Sequence, residues 1–267
     1  DGIVAWFDLE MSWDSVWMQR CGVDPTNILV AQPSTGEETF DEIVKLMDAG
    51  VDLVVLDSIA SLVPANVQQE DFSYNPMAWQ ARFVNSAFPK MLSHLKSGTA
   101  FLAINQMRSG MGRVSFDTMP GGVGQEFYAH FILRVSRSGW IQEKVAGLKE
   151  PQKVGFDMEI RCRKSKVGGL PLQSCVVPFR LDGGIDLIET AIREALRTGF
   201  IKQSGAWYKI FGLEEKIQGM NGLRRYFLEH ETEFNILREK TYSLTSFTNS
   251  DVEELDRENF VAEKGDL

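Results

Sequence analysis

Three apolar runs, each ending in a polar tip, constrain this chain more than any other feature. IVAWFDLE (3–10) ends in carboxylates, VDLVVLDS (51–58) in a carboxylate and a hydroxyl, and GTAFLAINQ (98–106) in two amides. Runs without polar alternation suit strands covered on both faces, as in a parallel sheet. Helical patterns separate them. Thr35 and Glu38 form a capping box ahead of Phe40, Ile43, Val44 and Met47, and Gly50 stops that helix. Asn75 and Pro76 open a longer helix that buries Met77, Ala81, Val84, Phe88, Met91, Leu92 and Leu95, with Pro89 set to kink it. Strand and helix in alternation predict a right-handed α/β unit with a helix-covered parallel sheet.

The texture then changes. FYAHFILRVSR, VGFDMEIRCRKSK and QSCVVPFRL read as successive strands extending the sheet in antiparallel fashion. From Asp186 the chain turns helical again, with a compact GAWYK turn (205–209) inside a small α+β unit. The expected organisation is a core over 1–185, a small C-terminal domain over 186–242 and an acidic tail over 243–267, disordered or loosely helical. The net charge of −9 speaks against a nucleic-acid binder until it is placed. Seven acids and two bases lie from Ser243 onward, so over half the excess sits in the tail and a basic surface elsewhere stays open. Cys21, Cys162 and Cys175 have no metal-site spacing and fit a reducing cytoplasm. No apolar run reaches the roughly 18 residues of a membrane helix.

Ligands of open α/β sheets bind at the carboxyl ends of the strands. Those ends carry Asp8 and Glu10, Asp57 and Ser58, and Asn105 and Gln106. Each type has a task in nucleotide hydrolysis. An acid such as Asp57 holds magnesium, usually through its water shell; a neighbouring carboxylate orients the attacking water; an amide senses the γ-phosphate. Any one of them alone is matched by strands that merely end in a polar residue. Their order, each at a strand tip, is the stronger signal.

FDLE, GVDPTNILVAQPSTGEE, VDLVVLDSIASLVP, AINQMR, GGVGQEFYA and KQSGAWYK follow one another as in bacterial and phage RecA recombinases, which the chain resembles to about residue 240. The resemblance implies a RecA-like P-loop ATPase core. It implies ATP and Mg2+ as cofactors, a helical homo-oligomer on single-stranded DNA, and strand exchange with homologous double-stranded DNA. It makes Glu10 the carboxylate that activates water, Asp57 the magnesium-site acid with Ser58 beside it, and Gln106 the γ-phosphate sensor. Asp14 and Trp17 fall at adenine-contacting positions, although Trp17 also fits a packed helix residue. Lys164 and Lys166 match the pair that reaches a neighbour's ATP, where cations supplied in trans neutralise the transferring phosphoryl. The plain alternative for them is a solvated strand end.

Two polar stretches, 63–77 and 107–124, match the family's DNA-facing loops. Arg82, Arg108, Arg113, Phe116, Gly121 and Gly122 are the DNA-contacting candidates: arginines neutralise phosphate, glycine amides approach it closely, and an apolar ring wedges between bases. A mobile surface loop accounts for the same glycines without DNA. The resemblance makes the C-terminal unit a gatherer of duplex DNA, with Lys202, Lys209, Lys216, Arg224 and Arg225 as candidates for its basic face; ordinary surface charge is the plain alternative. The chain departs from the family at Pro89 and Glu126, where relatives often carry basic residues, and in a slightly shorter second loop. Two other readings share these motifs, a ring helicase or clock-type ATPase and a non-catalytic DNA-binding homologue.

The largest departure is at the front. No GxxxxGK[ST] occurs in the 267 residues, and the first strand opens the sequence at Ile3, so the natural chain is expected to continue upstream. Without that backbone cradle and its lysine, the chain as given is expected not to hydrolyse ATP. DNA-stimulated phosphate release by this polypeptide alone would refute the expectation.

Overall fold

The computed structural model describes residues 2–65, 76–95, 98–109, 117–122, 124–144, 147–167, 173–213 and 215–245. In chain order β1 (Val4–Asp8), α1 (Ser15–Arg20), β2 (Ile28–Ala31), α2 (Gly36–Ala49), β3 (Leu53–Asp57), α3 (Pro76–His94) and β4 (Ala100–Ala103) come first. The short strands β5 (Arg108–Ser109) and β6 (Asp117–Thr118) and the helix α4 (Gly124–Tyr128) follow. Then come β7 (Phe131–Glu143), β8 (Gln152–Ser165), β9 (Ser174–Arg180) and β10 (Gly184–Ile185). The chain continues through α5 (Leu187–Arg197), β11 (Ile201–Ser204), β12 (Trp207–Ile210), β13 (Lys216–Gln218), α6 (Met220–Glu229) and α7 (Glu231–Thr245). It divides into two compact units, one of Asp1–Arg134 with Arg161–Ser174, the other of Val135–Ile160 with the chain from Cys175 on. The boundary expected near residue 185 falls inside the second unit, and β7 and β8 carry residues of both.

In the first unit the sheet order is β2-β1-β3-β4, with all three pairings parallel. Asp8 and Asp57 lie side by side in that register, so the strand tips end together. Ala5 and Phe7 of β1 and Val54 and Leu56 of β3 are fully buried, in one core with Phe40, Ile43 and Met47 of α2 and Val84, Phe88 and Met91 of α3. Each large side chain buried here contributes roughly 1.5–3 kcal/mol. The capping signals read in the sequence act at both ends of α2, although Glu38 reaches back to the amide before the cap rather than to that of Thr35. Thr35 Oγ1 accepts from Glu38 N at 3.2 Å, Glu38 Oε2 accepts from Ser34 N at 2.9 Å, and Gly50 closes α2 at φ 88°. Pro89 lies within α3, and Asn75 is outside the described residues.

Coverage of both sheet faces holds less well than the apolar runs suggested. The central strands are largely buried, but Leu29 on β2 is 51% exposed and Leu102 on β4 is 52% exposed. Both lie on outer strands, which among the described residues have a strand neighbour on one side only. The predicted antiparallel strands form a sheet of their own, ordered β10-β9-β8-β7, rather than pairing with β4 among the described residues. In the second unit, α5, α6 and α7 pack with the β11-β12-β13 sheet around Ile192, Ile201, Leu223, Phe227 and Leu237. Among the described residues no helix is long and apolar enough to cross a membrane.

Candidate nucleotide-hydrolysis site

The strand tips of the first unit converge on one carboxylate oxygen. Glu10 Oε1 accepts from Ser58 Oγ at 2.5 Å, Ser61 Oγ at 3.2 Å and Gln106 Nε2 at 3.2 Å. These donors come from segments far apart in sequence. Ser58 and Ser61 bracket a single 3-10 turn (Ile59–Ser61) after β3, and Gln106 stands three residues past β4. Among the described residues no donor reaches Oε2 of Glu10. Parallel strands in this register bring Glu10, Ser58 and Gln106 together; Ser61, which the sequence reading passed over, joins them because the turn brings it back.

The loop carrying Glu10 is shaped by Asp8. Its buried carboxylate accepts from Ser12 N at 2.9 Å, Trp13 N at 3.1 Å and Gln32 Nε2 at 2.9 Å. Burial alone would raise the Asp8 carboxyl, but hydrogen bonds from Ser12, Gln32 and Trp13 outweigh it and hold it below the usual carboxylate value. Asp57, half-buried on the neighbouring strand, goes the other way. Burial pushes it up first, and the negative charges of Glu10 and Asp8 push it further. Its folded-state value therefore lies above its unfolded one, so the ionised carboxylate costs stability at neutral pH and stops costing it below the ordinary carboxylate range. Asp57→Asn is expected to raise the thermal midpoint at pH 7, with the gain vanishing in acid. An unchanged or lower midpoint at pH 7 would contradict this electrostatic assignment.

The loop that follows Gln106 is fixed at both ends. Gln106 N donates to Asn105 Oδ1 at 2.9 Å, and Asn105 Nδ2 donates to Pro120 O at 2.8 Å and Gln125 Oε1 at 3.0 Å. The buried Gln125 in turn donates to Pro120 O and Gly122 O. Arg108 pairs with Thr118 and Ser109 with Asp117 in a two-residue antiparallel ladder, and residues 110–116 between them lie outside the described residues. Gly121 (φ 86°) and Gly122 (φ 71°) sit in the left-handed region, and a Cβ on them would come within 3.1 Å of Ile59 and 3.0 Å of Ala81. Backbone geometry thus requires both glycines, whatever else they contact. Arg82 is exposed on α3 and Arg108 exposed on β5, whereas Arg113 and Phe116 lie outside the described residues.

Lys164 and Lys166 lie at the end of α4. Lys164 Nζ donates to the carbonyls of Glu126 and Phe127, and Lys166 Nζ to that of Phe127. The two ammoniums therefore complement the negative end of a helix whose own Gln125 is tied to Asn105. Asp14 caps α1, its Oδ1 accepting from Val16 N at 2.9 Å and Trp17 N at 3.1 Å, and Trp17 is half-buried on that helix. Neither residue enters the cluster around Glu10. In the second unit, Lys202, Lys209 and Lys216 stand in one cross-strand row, while Arg224 turns inward to the buried carboxylate of Asp186 and does not belong to that row.

Among the described residues no group of three His, Cys, Asp or Glu side chains could hold a metal ion by itself. The concentration of charge at Asp8, Glu10 and Asp57, with Asp57 pushed up by burial and then by its charged neighbours, nonetheless fits a divalent cation held through water and phosphate oxygens.

Known proteins align with this chain along nearly all of its length. The RecA N-terminal domain family matches residues 1–186. Protein RecA of Streptococcus thermophilus is 34% identical over 262 residues, 95% of this chain and 68% of that protein. Protein RecA of Aquifex pyrophilus is 30% identical over 270 residues, 99% of this chain and 74% of that protein. Protein RecA of Streptococcus pneumoniae (strain Hungary19A-6) is 33% identical over 265 residues, 97% and 67% respectively. With one family spanning the strand tips and relatives spanning both units, the chain belongs to the RecA family of recombinases.

Proposed function

We propose that this chain carries the hydrolytic and DNA-gripping parts of an ATP-dependent recombinase. In this reading it polymerises as a helix on single-stranded DNA and exchanges strands with a homologous duplex. The observation that supports this most is the convergence of Ser58, Ser61 and Gln106 on Glu10 at neighbouring strand tips. ATP with Mg2+ supplies the phosphoryl bond and the counter-charge. Glu10 orients the attacking water and takes its proton, and Asp57 with Ser58 holds the hydrated cation. Gln106 reads the γ-phosphate, and because it opens the clamped loop, contact with phosphate and order in the DNA-facing segment share one element.

Lys164 and Lys166 serve the neighbouring protomer's nucleotide. Exchanging two helix-end carbonyls for phosphate oxygens trades a partial charge for a full one, so the exchange is favoured when a phosphate is presented. Asp14 and Trp17 meet adenine. Arg82, Arg108, Arg113, Phe116, Gly121 and Gly122 grip single-stranded DNA without reading its sequence. The test is assembly of the natural gene product on single-stranded DNA with ATP and Mg2+, viewed by electron microscopy. Open helical filaments are expected, with DNA-stimulated phosphate release abolished by Glu10→Gln. Closed rings, or hydrolysis that survives the substitution, would overturn the reading.

A further inference from the structure

We propose that Ser61 is a positioning residue for Glu10: with Ser58 it fixes Glu10 by Oε1, so that Oε2 is the oxygen offered to the attacking water. The proposal rests on the hydrolytic reading of Glu10 given above. A glutamate on an exposed loop has three free rotors, and a base that wanders spends most of its time out of reach of a proton. Here one oxygen is held by hydroxyls from the turn after β3, and the other faces none among the described residues.

Ser58 Oγ lies 2.5 Å from the carboxylate oxygen and must place its proton there, so the single proton on each hydroxyl leaves two arrangements. Either both serines donate to Glu10, or Ser58 donates to Glu10 and Ser61 donates to Ser58 across their 3.3 Å separation. In the first arrangement Ser61 holds the carboxylate directly. In the second it polarises the 2.5 Å hydrogen bond from Ser58 and strengthens it. Both make the hydroxyl of Ser61 part of the hold.

A second observation points the same way. The buried side chain of Gln80, on α3, donates to Ala60 O and Leu62 O, both at 3.0 Å. Those carbonyls flank Ser61, and Ser61 N itself donates to Ser58 O at 3.1 Å. One amide thus pins the backbone on either side of this serine, and the turn cannot swing it away from Glu10 without breaking two hydrogen bonds, one of them buried.

The side-chain amide signals of Gln106, read by NMR on the 15N-labelled chain, test the geometry without any hydrolysis. Glu10→Ala is expected to move them and Ser61→Ala to move them part of the way. Ser61→Thr, which keeps the hydroxyl, should leave them near their original position. Signals indifferent to Ser61→Ala, or displaced equally by alanine and threonine, would overturn the proposal. In the natural gene product Ser61→Ala is expected to lower kcat on the order of tenfold with KM for ATP little changed, and threonine to restore it. A loss of thermal stability with kcat intact would reduce Ser61 to a structural role and overturn the proposal. Hydrolysis that survives Glu10→Gln would instead defeat the reading of Glu10 itself, even where the NMR pattern holds.

Discussion

Replacing Arg224 by methionine is expected to destabilise the second unit by about 3–5 kcal/mol, the usual cost of stripping one partner from a buried ion pair. The carboxylate left behind has nowhere to turn. Asp186 has a side-chain exposure of 2%, and its Oδ1 is already engaged in capping α5 through Glu189 N at 3.0 Å. Arg224 comes from α6, so the pair ties two helices of the C-terminal core together. Burial first, and then the nearby charge of Arg180, hold its guanidinium below the ordinary arginine value, partly offset by Glu143 and Asp182. For a unit of this size the thermal midpoint should fall by roughly 12–20 °C. Asp186→Asn in the same chain should recover most of the loss, since asparagine caps a helix as well as aspartate and carries no charge to strand. Denaturant melts of the two single variants and the double variant check this. A double variant as unstable as Arg224→Met alone would sink the argument.

That arginine also marks the limit of what could be read from residue types. In a list of five cations from the C-terminal segment, nothing distinguished Arg224 from Arg225, because inward and outward are decided by helix rotation against a core that forms from non-local contacts. Where a signal is local it was legible. Thr35, Glu38 and Gly50 announce both ends of α2, since capping acts within one turn of the backbone. Glu10, Asp57, Ser58 and Gln106 were legible for a different reason: a parallel sheet puts its strand ends on one side, so position along the chain becomes position in space.

Ser61, Gln80 and Gln125 were not legible. Each is a common polar residue off any periodic pattern, and the partner that matters lies far off in sequence: 51 residues for Ser61, 18 and 20 for Gln80, and 20 for Gln125. Exposure on β4 was missed because a continuous apolar run reports what a strand prefers, not what covers it.

The second large effect concerns the row Lys202, Lys209 and Lys216. Lys202 faces Lys209 across the β11–β12 pairing, and Lys209 faces Lys216 across β12–β13, all three on the exposed face with Trp207. Like charges placed directly opposite one another on a sheet oppose its formation. With three neighbouring strands about 4.8 Å apart, the row spans only ~10 Å. Changing all three to glutamine is therefore expected to leave the fold intact or slightly more stable. If the proposed recombinase reading holds and this row meets duplex phosphates, duplex binding should respond in the opposite sense. Three phosphate contacts release about 2.7 counterions, so the slope of log affinity against log salt should become shallower by about that amount, with a loss on the order of 10²–10³ in affinity at low salt. Fluorescence anisotropy of a labelled duplex, titrated across salt concentrations, measures both quantities. Arg224 supplies the internal contrast: the Asp186→Asn/Arg224→Met chain should keep the original salt slope, because that half-buried guanidinium is paired with a buried carboxylate. A slope unaltered by the three glutamines would show that the repulsion in this row serves something other than duplex binding.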